Sequence, residues 1–276
     1  MVTLVNGLPA EPTVSVFDGA VLRGDGCFEA IRSYGGRPFA FEEHYQRLTR
    51  SAAALRLPLP TATQLRDWVN TCAGEGGDCV VRVVVTRGAT GVGFETPPAC
   101  WVLWHPLPVP IQDLSLATVA APWHPGGEVW ELAGVKTISY AANQAATRLA
   151  QEAGANDALL LSRSGEVLEG PTFSVAWVCE GVLETPSLAL GILESITRRF
   201  VLEGCGRLGI PVAEGRFSLE RLQSASEIMA LSTVKEVMPV RRIDRLELAP
   251  GPVTGELARY YQALVQVTPS QARTGS

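Results

Sequence analysis

Val135–Val178, VKTISYAANQAATRLAQEAGANDALLLSRSGEVLEGPTFSVAWV, is the stretch on which the fold turns. From Tyr140 to Ala153 it reads as a helix of about four turns, and Gly154 stands where a left-handed residue closes a helix. Ala158 to Ser162 and Val167 onward read as strands around a Ser164-Gly165 turn. Phe173 to Cys179 follows as another strand, pairing with Val182 to Thr185 across Glu180-Gly181.

Working outward, downstream residues predict a helix from Ser195 to Leu208, a short one over Leu219 to Gln223, and strands at Glu227 to Leu231 and Val237 to Arg241. Upstream, Cys79 to Thr86 (CVVRVVVT) is β-branched enough to predict a buried strand, and Cys100 to Trp104 predicts another. Cys27 to Tyr34 reads as a strand that turns at Gly35-Gly36 into Pro38 to Phe41, with helices over Glu42 to Leu55 and Thr63 to Ala73. Thr13 to Phe17 reads as a further short strand. The proline-rich Pro106 to Pro110 resists helix and suits a linker. The expectation is an α/β (α+β) chain of two domains, 1–106 and 122–276, joined by a linker over 107–121.

Composition narrows the function classes. With 276 residues, 46% of them apolar, the chain can bury a large core. A formal net charge of -5 and the absence of a Lys/Arg run give it no electrostatic footprint for nucleic acid. No segment is long and apolar enough to span a membrane, and Met1 to Pro12 lacks the pattern of a secretory signal. Cys27, Cys72, Cys79, Cys100, Cys179 and Cys205 lie far apart without C-x-x-C spacing, as small buried hydrophobes in a reducing cytoplasm do. His44, His105 and His124 are the only histidines, so no histidine-based metal centre is expected.

Three groups stand out chemically. Ser195-Ile196-Thr197-Arg198 opens a helix, where unpaired amides and the helix dipole favour an anion; an ordinary serine N-cap is the alternative. Lys136, flanked by apolar residues just before a helix, has the setting of a nucleophilic amine, although most lysines are solvated surface residues. Glu169 in LEGPT ends a strand expected to run beside the lysine-bearing segment; alone, an isolated Glu-Gly reads more commonly as a turn-flanking surface acid.

Together, their order and spacing closely resemble the core of the class IV (fold-type IV) enzymes that depend on pyridoxal 5'-phosphate (PLP). That family includes branched-chain and D-amino acid transaminases, (R)-selective amine transaminases and 4-amino-4-deoxychorismate lyases. LRGDGCFEAIR, EEHYQRL, TPSLALGILESITR and LSTVKEVMPV agree in order, and GPVTGELARYY is similar to the family's closing helix. The resemblance implies a small N-terminal α/β domain and a larger C-terminal domain with a barrel-like β core. It also implies an active site between the domains and a homodimer.

The roles it implies are specific. Lys136 would carry the cofactor as an internal aldimine and shuttle the substrate's α-proton. Glu169 would pair with the pyridine nitrogen and keep it protonated, which makes the ring a better electron sink. Arg47 would bind the phosphate as a guanidinium fork, completed by Ile196, Thr197 and Thr233. Tyr140 would lie near the phenolic oxygen, and Thr172 follows Glu169 in the cofactor-binding motif. Three residues depart from the family pattern: Ser195 for a glycine, Ser174 for an asparagine, and Arg23 for an aromatic. Arg23 and Arg87 are the candidates for the substrate carboxylate, with Arg23 facing either the site or solvent and a partner. The implied activity is transamination between a D-amino acid or branched-chain amino acid and a 2-keto acid. A lyase that releases pyruvate from aminodeoxychorismate is the alternative, and a PLP-binding protein without catalysis is a second.

Overall fold

The structure, a computed structural model, describes residues 2–91, 93 and 95–267, and the chain divides into two units. The first holds the described residues within Met1–Pro108, Val135–Ser139 and Ala263–Ser276; the second holds Val109–Gly134 and Tyr140–Gln262.

The first unit runs β1 (Thr3–Val5), β2 (Leu8–Pro9), α1 (Gly19–Arg23), β3 (Gly26–Tyr34), β4 (Arg37–Pro38), α2 (Phe41–Ala54), α3 (Ala62–Gly76), β5 (Cys79–Thr86) and β6 (Ala99–Pro106). Its sheet has the order β2-β1-β6-β5-β3-β4 and is antiparallel throughout. The β-branched run of β5 lies inside it, paired along its whole length with β3 and β6. Val81, Val83 and Val85 of β5 share one core with Leu48 and Ala52 of α2 and Leu65, Val69 and Cys72 of α3. The start of α3 is fixed by a capping box: Thr61 Oγ1 accepts the Gln64 N–H, and Gln64 Oε1 accepts the Thr61 N–H. Burial pushes the Cys27 and Cys100 thiols up to about 12, so both act as small hydrophobes and not as nucleophiles.

The second unit contains β7 (Leu114–Ala120), α4 (Ala141–Glu152), β8 (Asp157–Leu161), β9 (Ser174–Cys179), β10 (Val182–Pro186), α5 (Ile196–Leu208), β11 (Val212–Gly215), α6 (Leu219–Gln223), β12 (Glu227–Ser232), β13 (Glu236–Ile243), β14 (Leu246–Glu247) and α7 (Pro252–Val267), whose last residues fall to the first unit. The sheet order is β11-β10-β9-β12-β13-β7-β8, with β14 on β13. Its two ends are linked through Glu166–Leu168: Leu168 N–H donates to the Leu160 carbonyl on β8, and Val167 N–H to the Phe217 carbonyl just past β11. The sheet therefore curls on itself as a barrel-like core. Trp177 fills it, fully buried, with Nε1 donating to Glu184 at 2.8 Å and its ring edge-on to Phe217.

A buried carboxylate starts α7. Pro252 needs no hydrogen-bond acceptor at the first position. Glu227 then accepts the Val253 N–H at 3.1 Å and the Thr254 N–H and hydroxyl at 2.7 Å each. Glu227→Ala strips these donors of their partner and is expected to cost about 2 kcal/mol in denaturant unfolding.

Several expectations are corrected. Thr13 to Phe17 is not a strand: Thr13 N–H and Asp18 N–H close turns onto Glu11 and Ser15, and Val14, Val16 and Phe17 are exposed. The stretch 107–121 is not a plain linker, because it contains β7, which pairs in parallel with both β8 and β13. Residues 122–276 do not form one unit, since Val135–Ser139 belongs to the first. The stretch from Val167 to Glu169 is not a regular strand but an extended segment bridged to β8, whereas the lysine-bearing segment runs beside β3.

Candidate active site

The site residues of the first unit are organised by an unfilled sheet edge. β4 covers only the far end of β3, at Ser33 and Tyr34. At the near end Phe28 N–H donates to the Lys136 carbonyl and Ile138 N–H to the Gly26 carbonyl, both at 3.0 Å. Lys136 N–H in turn donates to the buried Ser51 hydroxyl of α2 at 3.2 Å. The backbone of Lys136 is thus held on both sides, and its Nζ lies 4.4 Å from the centroid of the Phe28 ring. That is the setting of a half-buried amine on an aromatic face, in place of a solvated surface lysine.

Arg47 lies one turn before Ser51 on α2 and is buried. Its Nε and Nη2 grip Glu29 of β3 at 2.8 and 2.7 Å, and His44 Nδ1 lies 2.7 Å from the same carboxylate. Burial would raise the Glu29 carboxyl, but the Arg47 charge and the hydrogen bonds from Arg47 and His44 hold it well below the usual carboxylate range. An ionised Glu29 only accepts, so His44 Nδ1 is the donor, and burial, ahead of that bond, keeps the imidazole below its ordinary value. Unfolding therefore lets Glu29 take up a proton at acid pH. Its stabilising contribution is full above the unfolded value of about 4.3 and is lost as pH falls below it. Glu29→Gln is expected to flatten the acid limb of the stability profile, measured by denaturant midpoints between neutral pH and the acid transition.

The two carboxylate candidates part ways. Arg87 is engaged within the fold: its Nε and Nη2 bind Asp25 at 2.9 and 3.0 Å, and the fork also donates to the Arg56 and Leu55 carbonyls. These bonds engage most of the guanidinium in tying the loop before β3 to the end of α2, a structural use that competes with holding a substrate carboxylate. Arg23, the last residue of α1, is exposed in the chain.

In the second unit Glu169 is half-buried, and both of its carboxylate oxygens accept the Leu193 N–H at 3.2 Å. His124 Nε2 stands 3.9 Å from Glu169 Oε1, with its Nδ1 accepting the Gly126 N–H. Tyr140 is the N-cap residue of α4, and Thr172 is exposed in the turn after Gly170-Pro171.

Ser195 caps α5 through a bond from the Arg198 N–H, so a serine serves this turn without loss of the helix start. Ile196 and Thr197 form its first turn, and both are buried. The Thr197 hydroxyl is sealed from solvent with no hydrogen-bond partner, a state that costs free energy unless a ligand supplies an acceptor. A phosphate at this helix start would satisfy the hydroxyl and the leading amides together, so these residues fit the group that the resemblance implies. Thr233 opens the three-residue turn between β12 and β13, and α5 packs on β12.

Glu29, His44, Ser51 and His124 are the neighbours that sequence reading did not assign. A legible signal existed for Glu29. From Cys27 to Tyr34 the buried positions of β3 are Cys27, Glu29, Ile31 and Ser33, so a charged residue sits in the inward register of a buried strand and requires a partner.

The profile described as Amino-transferase class IV matches residues 26–243. The chain is 35% identical over 240 residues to a putative branched-chain-amino-acid aminotransferase of Methanocaldococcus jannaschii, covering 84% of this chain and 83% of the relative. It is 29% identical over 280 residues to a bifunctional aminodeoxychorismate lyase / D-amino acid transaminase of Mycobacterium tuberculosis, covering 93% and 95%. Among solved structures, a hypothetical aminotransferase from Mycobacterium tuberculosis in its PLP-bound form superposes with a TM-score of 0.87 at 27% identity, covering 96% of this chain and 99% of that one.

Proposed function

The chain belongs to the class IV aminotransferases, whose cofactor is PLP, and on that footing we propose that it moves an amino group between an α-amino acid, of D-amino acid or branched-chain type, and a 2-keto acid. The observation that carries this reading is Lys136, its main chain fixed to Phe28 and Ser51 and its amine on an aromatic face.

Bound PLP supplies an electron sink for negative charge at the substrate's α-carbon. The Lys136 amine would hold the cofactor and would carry the substrate's α-proton. Glu169, steadied by the Leu193 N–H, holds a proton at the pyridine nitrogen. We assign the phosphate to Arg47, Ile196, Thr197 and Thr233, with Tyr140 and Thr172 as further cofactor contacts. Arg23 is assigned to the substrate carboxylate.

A homodimer acting in the cytoplasm completes the proposal. The exposed Val14, Val16, Phe17, Val21 and Leu22 would suit a subunit interface, and six free buried cysteines suit a reducing compartment. The lyase is the second reading, favoured by the likeness to the bifunctional relative.

The test is the visible spectrum of the PLP-loaded protein while D-alanine, L-leucine and D-glutamate are added separately without a keto acid. Bleaching to the pyridoxamine form by any of them supports transamination, and the responding amino acid gives its handedness. A yellow protein that none of them bleaches, but that releases pyruvate from aminodeoxychorismate, replaces the proposal with the lyase.

A further inference from the structure

Nothing in PLP chemistry calls for a carboxylate at Glu29, yet the strand buries one at 1% exposure and surrounds it with donors. Burying a charge is costly unless it is paired, and Glu29 has a cation and a neutral imidazole on its two oxygens. The grip on Arg47 is side-on, through Nε and Nη2, which fixes the plane of the guanidinium and so the direction of its Nη1 edge. Arg47 and Ser51 are four residues apart on α2 and share one face of the helix. Ser51 accepts the Lys136 N–H, so that face carries both the phosphate-binding arginine and the anchor of the lysine.

We propose that Glu29 is a positioning residue for the cofactor's phosphate: it sets the angle at which Arg47 meets the anion, in the same helical register by which Ser51 places Lys136. The proposal rests on the assignment of Arg47 to the phosphate. The alternative use of Glu29 is a buried ion pair that only ties α2 to β3. The two uses differ in one property. A tie between elements affects every ligand of the site equally, whereas a device that aims Arg47 acts on ligands that carry a phosphate.

Glu29→Gln separates them. The amide keeps the shape, but its nitrogen would face the donors of Arg47 or His44, so the guanidinium has to turn. Wild type, Glu29→Gln and Arg47→Ala are titrated with PLP and with pyridoxal, which lacks the phosphate, and the dissociation constants are read from the bound chromophore. The expected result is that the preference for PLP over pyridoxal falls about tenfold or more in Glu29→Gln while pyridoxal affinity stays at the wild-type value. Parallel weakening of both ligands, or unchanged PLP affinity, overturns the proposal. If Arg47→Ala loses the preference and Glu29→Gln keeps it, Glu29 is only a tie and the phosphate assignment stands. If Arg47→Ala keeps the preference, that assignment itself fails. Should Glu29→Gln lose its fold, Glu29→Asp keeps the charge but withdraws the oxygens by one methylene, and the same ratio is read with the same criteria.

Discussion

Lys136→Ala is expected to bind PLP through its phosphate yet yield no borohydride-reducible adduct, and its transamination to fall by a factor of about 10³ or more, because the proposed function gives one side chain both the covalent link and the proton carrier. The size of the effect follows from the surroundings. The sequence holds one other lysine, Lys235, which sits in the turn between β12 and β13 with its Nζ over the Phe173 ring, while the Lys136 main chain is fixed by Phe28 and Ser51. Truncating the side chain leaves those backbone bonds intact, so the variant should melt close to the wild type. Intact mass after borohydride treatment is the measurement; an adduct at wild-type stoichiometry in Lys136→Ala would refute the assignment.

The second large effect belongs to Glu169. Glu169→Gln retains the shape that the Leu193 N–H recognises, because an amide oxygen accepts as a carboxylate oxygen does. The charge is lost, and with it the proposed means of keeping a proton on the pyridine nitrogen. The expected result is a fall in kcat on the order of 10²-fold with PLP still bound, comparable to the removal of one preorganised electrostatic partner. Single-turnover rates with a responsive amino acid measure it directly. A variant that turns over at the wild-type rate would place the pyridine nitrogen elsewhere. His124, 3.9 Å from the same carboxylate, does not replace the charge, because an imidazole carries no negative charge in either of its protonation states.

Much of this was legible in the sequence where local chemistry decides structure. CVVRVVVT became a strand over the bounds read from it, and Glu180-Gly181 turns β9 into β10 with both residues at positive φ, as a two-residue hairpin demands. Other parts depend on partners far along the chain. The alternation in Thr13–Phe17 reads as a strand, but an alternating pattern forms one only where a neighbouring edge accepts it. β7 was hidden because its parallel partners, β8 and β13, come later in the sequence and no local turn announces them. At the site, Lys136, Glu169 and Thr197 stood out by motif. The pairing of Arg87 with Asp25, 62 residues away, is beyond any local reading.

The order in which the ribosome releases the chain gives the short β4 a further meaning. When β3 emerges, its Gly26–Phe28 end has neither β4 nor the lysine segment beside it, and that segment arrives only after β7 has been made. The nascent first unit therefore waits with a bare edge whose Phe28 amide is later taken by the Lys136 carbonyl and whose Gly26 carbonyl is later taken by the Ile138 N–H. A fragment ending at Pro108 would keep that edge permanently open, a template for strands of other chains. Recombinant truncation at this boundary should give a self-associating product, which the segment Val135–Ser139, added in trans as a peptide, would compete to keep apart.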